Sequence, residues 1–146
     1  MSAGLPSLRE MAIELIAFVC HRPNGLAISA AVKVSSSRGT AHVMVLAPPR
    51  EREAVLRLGA QWRNLTSAEL ATSQFAKRYR HSSRNEVKYE LFCFQRWLML
   101  ERVVRRMKLS PYAAIAVLDD DILIYRHPEL WLRELSSLSF HNSSQM

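Results

Sequence analysis

Three consecutive aspartates, Asp119, Asp120 and Asp121, are the residues of this chain whose type and spacing best fit a chemical role. Two carboxylates about 5 Å apart, at an effective dielectric of about 20, repel by about 3 kcal/mol, so the cluster calls for a cation. In an extended chain Asp119 and Asp121 point to one side and Asp120 points to the other. Carboxylate oxygens favour Mg²⁺ or Mn²⁺, which water and phosphate oxygens complete. The spacing therefore predicts a metal-diphosphate site.

The element that must position these acids is the apolar run over residues 113–125. A long run rich in β-branched residues predicts a strand that is buried on both faces, in the middle of a parallel sheet. Open α/β folds bind ligands at the carboxyl ends of such strands. An acidic strand end whose charges are solvated, or paired with nearby arginines, is the structural alternative.

The rest of the chain alternates between strand and helix patterns. Thr66 and Ser67, with Glu69 behind them, predict the start of the third helix. This alternation indicates an α/β fold with a mostly parallel sheet, in one domain over residues 1–146 with loose tails at 1–10 and 139–146. The predicted strands cover 13–20, 41–47 and 61–65, and the predicted helices cover 26–34, 51–59 and 68–79.

Residues 86–108 form the clearest helical pattern, with Asn85 as a candidate N-cap. The pattern places Tyr89 and Trp97 on an apolar face, and Arg96 falls in the middle of that face. A guanidinium there needs an anion. Arg96 either snorkels or pairs with a structural carboxylate, or it reaches the Asp119/Asp121 site and contacts a phosphate or a carboxylate there.

The composition of the chain limits the classes of function that remain. A net charge of +7 and a pI near 10.0 favour an anionic partner, and a hydrophobic fraction of 49% fits a soluble globular domain. Cys20 and Cys93 lie in apolar segments without zinc-type spacing, which predicts buried free thiols. The sequence shows no signal peptide and no run near the roughly 20 apolar residues that span a bilayer, so no membrane span is expected.

Two segments together resemble a known family. Residues 89–97 read Tyr-Glu-Leu-Phe-Cys-Phe-Gln-Arg-Trp, and residues 118–125 read Leu-Asp-Asp-Asp-Ile-Leu-Ile-Tyr. They resemble nucleotide-diphospho-sugar transferases of the GT-A type, in which a CFQRW-like helix precedes a strand that ends in an LDxDvLlY motif. The resemblance covers residues 84–125 and is only topological over 13–66. It implies a Rossmann-like, three-layer α/β/α fold.

The resemblance also implies roles for individual residues. Asp119 and Asp121 would be the DxD aspartates that hold Mn²⁺ or Mg²⁺, with Asp121 the direct metal ligand and Asp119 the contact to the ribose or to a metal-bound water. Arg96 would help to hold the nucleotide-diphospho-sugar donor or the DxD loop. The loop over residues 21–24 would meet the nucleotide. The resemblance thus implies sugar transfer to an unidentified acceptor, which could be a glycan, a protein or a lipid.

These enzymes normally continue well past the DxD strand with an acceptor-binding half that carries a catalytic carboxylate. Here only residues 126–146 follow, with a predicted helix over 128–138, so we expect a partial domain that is incomplete on its C-terminal side. No catalytic residue is assigned, and neither His127 nor His141 matches the family's metal-ligand position. The sequence does not indicate the cellular compartment. Such enzymes often work in the secretory pathway, as in the Golgi, behind an anchor that this sequence lacks.

Two other functions compete with this interpretation. A phosphohydrolase of the haloacid-dehalogenase type also carries a DxD motif after an apolar strand, although its motif usually lies early in the chain. The second is a non-enzymatic surface that binds nucleic acid. Nucleic acid is the less favoured partner, because the sequence matches no known nucleic-acid-binding module. That surface would combine Tyr79 and Tyr89 for stacking with the basic residues Lys77, Arg78, Arg80, His81, Arg84 and Lys88.

Overall fold

The structure is a computed structural model that describes residues 12–37, 39 and 41–139, with residues 135–139 described by their backbone alone. Its described part contains one sheet of four parallel strands in the order β3-β2-β1-β4. The predicted tail over residues 1–10 lies outside the described residues, as do residues 140–146. The strands are β1 (Ile13–Val19), β2 (His42–Ala47), β3 (Gln61–Asn64) and β4 (Ala114–Leu118).

Helices cover both faces of the sheet, so the predicted α/β fold with three layers is confirmed. Helices α1 and α2 pack on one face, where Leu132 of α6 joins the same apolar cluster. Helices α3 and α5 pack on the other face. No helix within the described residues is long and apolar enough to cross a bilayer. The helices are α1 (Gly25–Ser36), α2 (Arg52–Arg57) after a 3-10 turn (Pro49–Glu51), α3 (Leu65–Ala71), α4 (Ser73–Arg78), α5 (Val87–Val104) and α6 (Glu129–Ser139).

Strand β1, like β2, is buried on both faces. Its side chains alternate between the two clusters, with Ile16 and Phe18 facing α1 and with Leu15 and Ala17 facing α5, and all four are fully buried. Strand β4 pairs with β1 alone among the described strands, and most of its residues are only half-buried. The prediction of a central strand over residues 113–125 is therefore wrong, because an apolar run alone does not tell a central strand from an edge strand.

Strand β4 ends at Leu118 because the aspartates after it form a turn. The amide of Ile122 donates a hydrogen bond of 3.1 Å to the carbonyl oxygen of Asp119, which closes a turn through Asp120 and Asp121. Aspartate is common in turns and rare in strands, and both preferences favour a turn at this position. The alternation of Asp119 and Asp121 across an extended chain therefore does not apply.

Asparagines start two of the helices. The side-chain oxygen of Asn24 accepts hydrogen bonds from the amides of Leu26 and Ala27, at 3.0 and 3.4 Å, and α1 follows. Asn64 caps α3 by accepting from the amide of Ser67 at 3.3 Å. The N-cap predicted at Thr66 and Ser67 is therefore wrong.

The single helix predicted over residues 68–79 is divided at Thr72, which lies between α3 and α4. The hydroxyl of Thr72 donates to the carbonyl oxygen of Glu69 at 2.9 Å. Such a bond competes with the helical pattern, and the backbone at Thr72 leaves the helical region.

The long helix predicted over residues 86–108 is present as α5 and ends earlier, at Val104. Glu86 occupies the N-cap position instead of Asn85. Tyr89 and Trp97, predicted on the apolar face, are 62% and 51% exposed, because α5 contacts the sheet only along a narrow stripe. That stripe follows the helical spacing and includes Phe92, Met99, Leu100 and Val103.

Candidate functional site

The order of the strands reverses between β1 and β4, which defines a switch point at the carboxyl edge of the sheet. The chain runs from β1 outward to β2 and β3, and then β4 returns on the other side of β1. In open α/β sheets, ligands bind outside the carboxyl ends of the strands at the point where the strand order reverses. Here that point is the β1/β4 crevice, bordered by residues 20–24 after β1 and by residues 119–125 after β4.

Arg96 and Asp119 meet at this edge. Leu118, the last residue of β4, is in register with Phe18 of β1, so Asp119 lies directly beside the end of β1. A terminal guanidinium nitrogen of Arg96 donates to a carboxylate oxygen of Asp119. The side chain of Arg96 is 24% exposed and that of Asp119 is 53% exposed. This contact fits both interpretations of Arg96, the structural ion pair and the carboxylate beside a ligand site.

The guanidinium of Arg96 has hydrogen-bonding capacity left over. Its Nε is buried and has no hydrogen-bond partner in the described part of the chain. The guanidinium carbon lies 5.4 Å from the ring centre of Trp97, over the ring. A buried donor without an acceptor costs about 1–3 kcal/mol, so an anionic ligand at this point would relieve the penalty.

Asp120 and Asp121 differ in their surroundings. Asp120 is half-buried and lies close enough to Cys20 for its charge to act on the thiol. Burial raises the pKa of Cys20 to about 12, and the charge of Asp120 adds to the increase. Cys20 is thus a protonated, buried thiol, as predicted, whereas Cys93 is a half-buried free thiol. Asp121 is exposed.

The acids do not form a metal site by themselves. Within the described residues, no three His, Cys, Asp or Glu side chains converge as a metal-binding group. Mg²⁺ in phosphate-transfer sites is commonly held by one or two carboxylates together with substrate phosphates and water. A metal ion held by Asp119 and Asp121 would therefore need further oxygens from a ligand such as a diphosphate. The two aspartates do not fit a closed site built from protein ligands alone.

Tyr89 and Cys93 adjoin the ion pair, and sequence reasoning did not assign them to it. A hydrogen bond with Cys93 raises the pKa of the Tyr89 phenol, and the charge of Arg96 acts in the opposite direction. The carboxylate of Asp119 also acts on this phenol. The spacing of residues 89, 93 and 96 places them on one side of a helix, and that spacing was the available signal.

His21 fixes the loop after β1. Its ring centre lies 4.5 Å from that of Phe92, one helical turn before Arg96. Its Nε2 lies 3.2 Å from a carboxylate oxygen of Glu69 in α3. The loop expected to meet a nucleotide is thus held against α5 and α3, on the side of the crevice opposite Asp119.

The basic residues considered for nucleic acid lie on another part of the surface. They lie around the segment that joins α4 to α5, and all are exposed except for the side chain of His81, which is 24% exposed. Tyr79 is not free for stacking, because its hydroxyl donates to Glu90 and its ring centre lies 5.8 Å from that of Phe94. Desolvation and the bond to Glu90 raise the pKa of Tyr79 to about 12. Tyr89 is exposed.

Two histidines follow the aspartates in the chain. His127 is buried, with its Nδ1 3.8 Å from a carboxylate oxygen of Glu129. His141 lies outside the described residues.

Comparison of the chain with protein families, with curated proteins and with solved structures found no match.

Proposed function

We propose that the chain is a nucleotide-diphospho-sugar transferase of the GT-A type, or its donor-binding portion, and that the donor binds in the β1/β4 crevice. The observation that carries the proposal is the meeting of Arg96 and Asp119 at the point where the strand order reverses. A guanidinium whose buried Nε has no partner among the described residues supports a phosphate-bearing ligand there, because its forked donors match phosphate geometry.

The residues of the crevice have separate roles in this proposal. Asp121, which is exposed, is the direct ligand of Mn²⁺ or Mg²⁺. Asp119, held by Arg96, contacts the ribose or a metal-bound water. When bound, the ion neutralises the charge that develops on the departing nucleoside diphosphate. Arg96 adds a second positive charge at the same place, and the loop of His21 closes the nucleotide side of the crevice.

Calorimetry of the whole chain with several nucleotide-diphospho-sugars, with and without Mn²⁺, tests this proposal. We expect binding that depends on Mn²⁺ and is lost in Asp121→Asn. The matched control is Asp120→Asn, which removes the same charge one position away and should keep binding, since Asp120 faces Cys20. Arg96→Lys should raise the dissociation constant, because an ammonium cannot replace the guanidinium fork.

Four outcomes would count against the proposal. Binding that ignores Mn²⁺ would remove the role of the aspartates, and equal losses in Asp120→Asn and Asp121→Asn would indicate general electrostatics. Salt-sensitive binding of RNA or DNA that ignores Mn²⁺ would favour the nucleic-acid surface between α4 and α5. Release of phosphate from phosphate esters, without nucleotide-sugar binding, would favour the phosphohydrolase. Sugar transfer itself is tested with glycan, protein and lipid acceptors.

A further inference from the structure

A second basic site lies away from the β1/β4 crevice. The end of β3, the start of α3 and the end of α5 enclose a groove of about 310 Å³. We call it the arginine groove, and its polar lining consists of Arg63, Asn64, Ser67, Arg102 and Arg106. The volume is at the lower end of the range for small-molecule sites, about 300–1,000 Å³.

The arginines of α5 and of the two residues after it divide into two classes. Arg105 is bound to Glu101 on its own helix, through contacts of 2.6 and 2.7 Å, and Arg96 is bound to Asp119. Arg102 and Arg106 make no ion pair and no side-chain hydrogen bond in the part of the chain that the structure describes. Within the described residues, the two arginines of this segment that have no protein partner therefore both line the groove.

The groove concentrates positive charge without an internal counter-charge. Arg63 adds a third guanidinium from β3, and no acidic residue of the described chain lines the groove. Like charges gathered around a small volume repel one another, so an anion bound between them is stabilised. Guanidinium groups bind phosphate oxygens through paired hydrogen bonds, and Asn64 and Ser67 add polar groups to the wall.

The number of charges indicates the size of the ligand. A phosphate monoester carries about −1.5 to −2 charge near pH 7, which is less than the charge of three guanidiniums. Two linked phosphates balance the positive charge of the groove better than one phosphate does. A nucleic-acid backbone instead requires a groove that follows several nucleotides.

The groove is separate from the proposed donor site. Asn64 ends β3 and Asp119 follows β4, so both lie at the carboxyl edge of the sheet, with β2 and β1 between their strands. Three strand spacings amount to about 14 Å, which one diphosphate does not span. A ligand in the arginine groove is therefore independent of whether a nucleotide-sugar binds in the crevice.

We propose that the arginine groove binds a small ligand that carries two or more linked phosphate groups. Calorimetry with inorganic pyrophosphate, on the whole chain and in EDTA, tests the groove without any metal-dependent binding in the crevice. Native chain should bind, and Arg102→Gln together with Arg106→Gln should raise the dissociation constant by about tenfold for each guanidinium removed. The matched control is Arg105→Gln, which removes the same charge from the residue between Val104 and Arg106, outside the groove, and should bind as the native chain does.

Further measurements separate this site from the crevice and from a nucleic-acid surface. Asp121→Asn, which should abolish donor binding, should retain pyrophosphate binding in EDTA. Thermal melting checks that the double variant folds, and Arg63→Gln, which changes a different element, provides an independent loss of binding. No binding of pyrophosphate by the native chain, or an equal loss in Arg105→Gln, would overturn the proposal. Displacement of pyrophosphate by an RNA oligonucleotide, with a dissociation constant that depends on its length, would overturn it in favour of a nucleic-acid backbone.

Discussion

Strands β1 and β4 pair with each other along their length, yet their environments differ. Leu15 of β1 is in register with Ile115 of β4, and both side chains face α5. Leu15 is fully buried, whereas Ile115 is half-buried. Hydrophobic stabilisation scales with the apolar area that is removed from water, so β1 contributes more to the stability of the fold.

The segments that follow β1 and β4 also differ in how firmly they are held to the fold. After β1, Asn24 is used for structure because it caps α1. After β4, Asp121 makes no side-chain hydrogen bond or ion pair within the described residues and is exposed to solvent. Strand β1 thus supports the crevice, and the end of β4 carries the side chains that are available to a ligand.

The largest expected effect separates the two strands directly. Leu15→Ala should reduce the free energy of unfolding by about 4 kcal/mol, and Ile115→Ala, its partner in the ladder, by about 2 kcal/mol. The reason is that a cavity forms around Leu15, whereas Ile115 already contacts solvent in part. Denaturant titrations of both variants measure the difference. Equal losses would show that β4 is as well covered as β1.

A smaller effect is expected in the segments after the strands. Asn24→Ala removes the cap of α1 and should cost about 1 kcal/mol of unfolding free energy. Asp121→Ala should change stability by less than about 0.5 kcal/mol, as is usual for exposed positions. Thermal melting compares the two variants. If Asp121→Ala cost as much as Asn24→Ala, the aspartate would have a structural role that its exposure does not suggest.

The coupling free energy between Arg96 and Asp119, the ion pair of the crevice, should be small. A double-mutant cycle with Arg96→Gln and Asp119→Asn should give a coupling free energy of about 0.5–1 kcal/mol, because the carboxylate is more than half exposed. Arg105→Gln with Glu101→Gln is the control, and this more exposed pair should give about 0.3–0.5 kcal/mol. A coupling of several kcal/mol would mean that Arg96 is a purely structural residue.

The smallest effect concerns the amino ends of the same strands and depends on pH. A carboxylate oxygen of Glu14 in β1 accepts from the amide of Ser110, in the segment before β4, at 3.1 Å. The hydrogen bonds from Ser110 lower the pKa of Glu14 below its ordinary value of 4.5. Because the folded state holds the ionised form, this stabilisation is present above pH 4.5 and is lost as the pH falls through the lowered pKa.

The stability lost in Glu14→Gln should therefore be largest near neutral pH and should shrink at lower pH. Denaturant titrations of the native chain and the variant at several pH values measure it. A loss that stayed constant from pH 7 to pH 3 would show that ionisation of Glu14 does not contribute.

Sequence patterns were sufficient for the order of elements. The alternation of strands and helices gave an α/β fold, and the bounds of β1, β2 and α5 differ from the prediction by a few residues. Local signals of this kind depend on residues that are close in the chain. The position of β4 could not be predicted in the same way, because an apolar segment does not show how many neighbours it pairs with.

For the candidate site, too, some features followed from the sequence and others only from the structure. The sequence by itself identified Asp119, Asp121 and Arg96, because three adjacent carboxylates and a guanidinium on an apolar helix face are costly without counter-charges. Only the tertiary structure decided that Arg96 contacts Asp119, that the aspartates form a turn, and that the loop of His21 borders the same crevice. It also decided that Arg63 joins Arg102 and Arg106, since residues some 40 positions apart meet only through the packing of β3, α3 and α5.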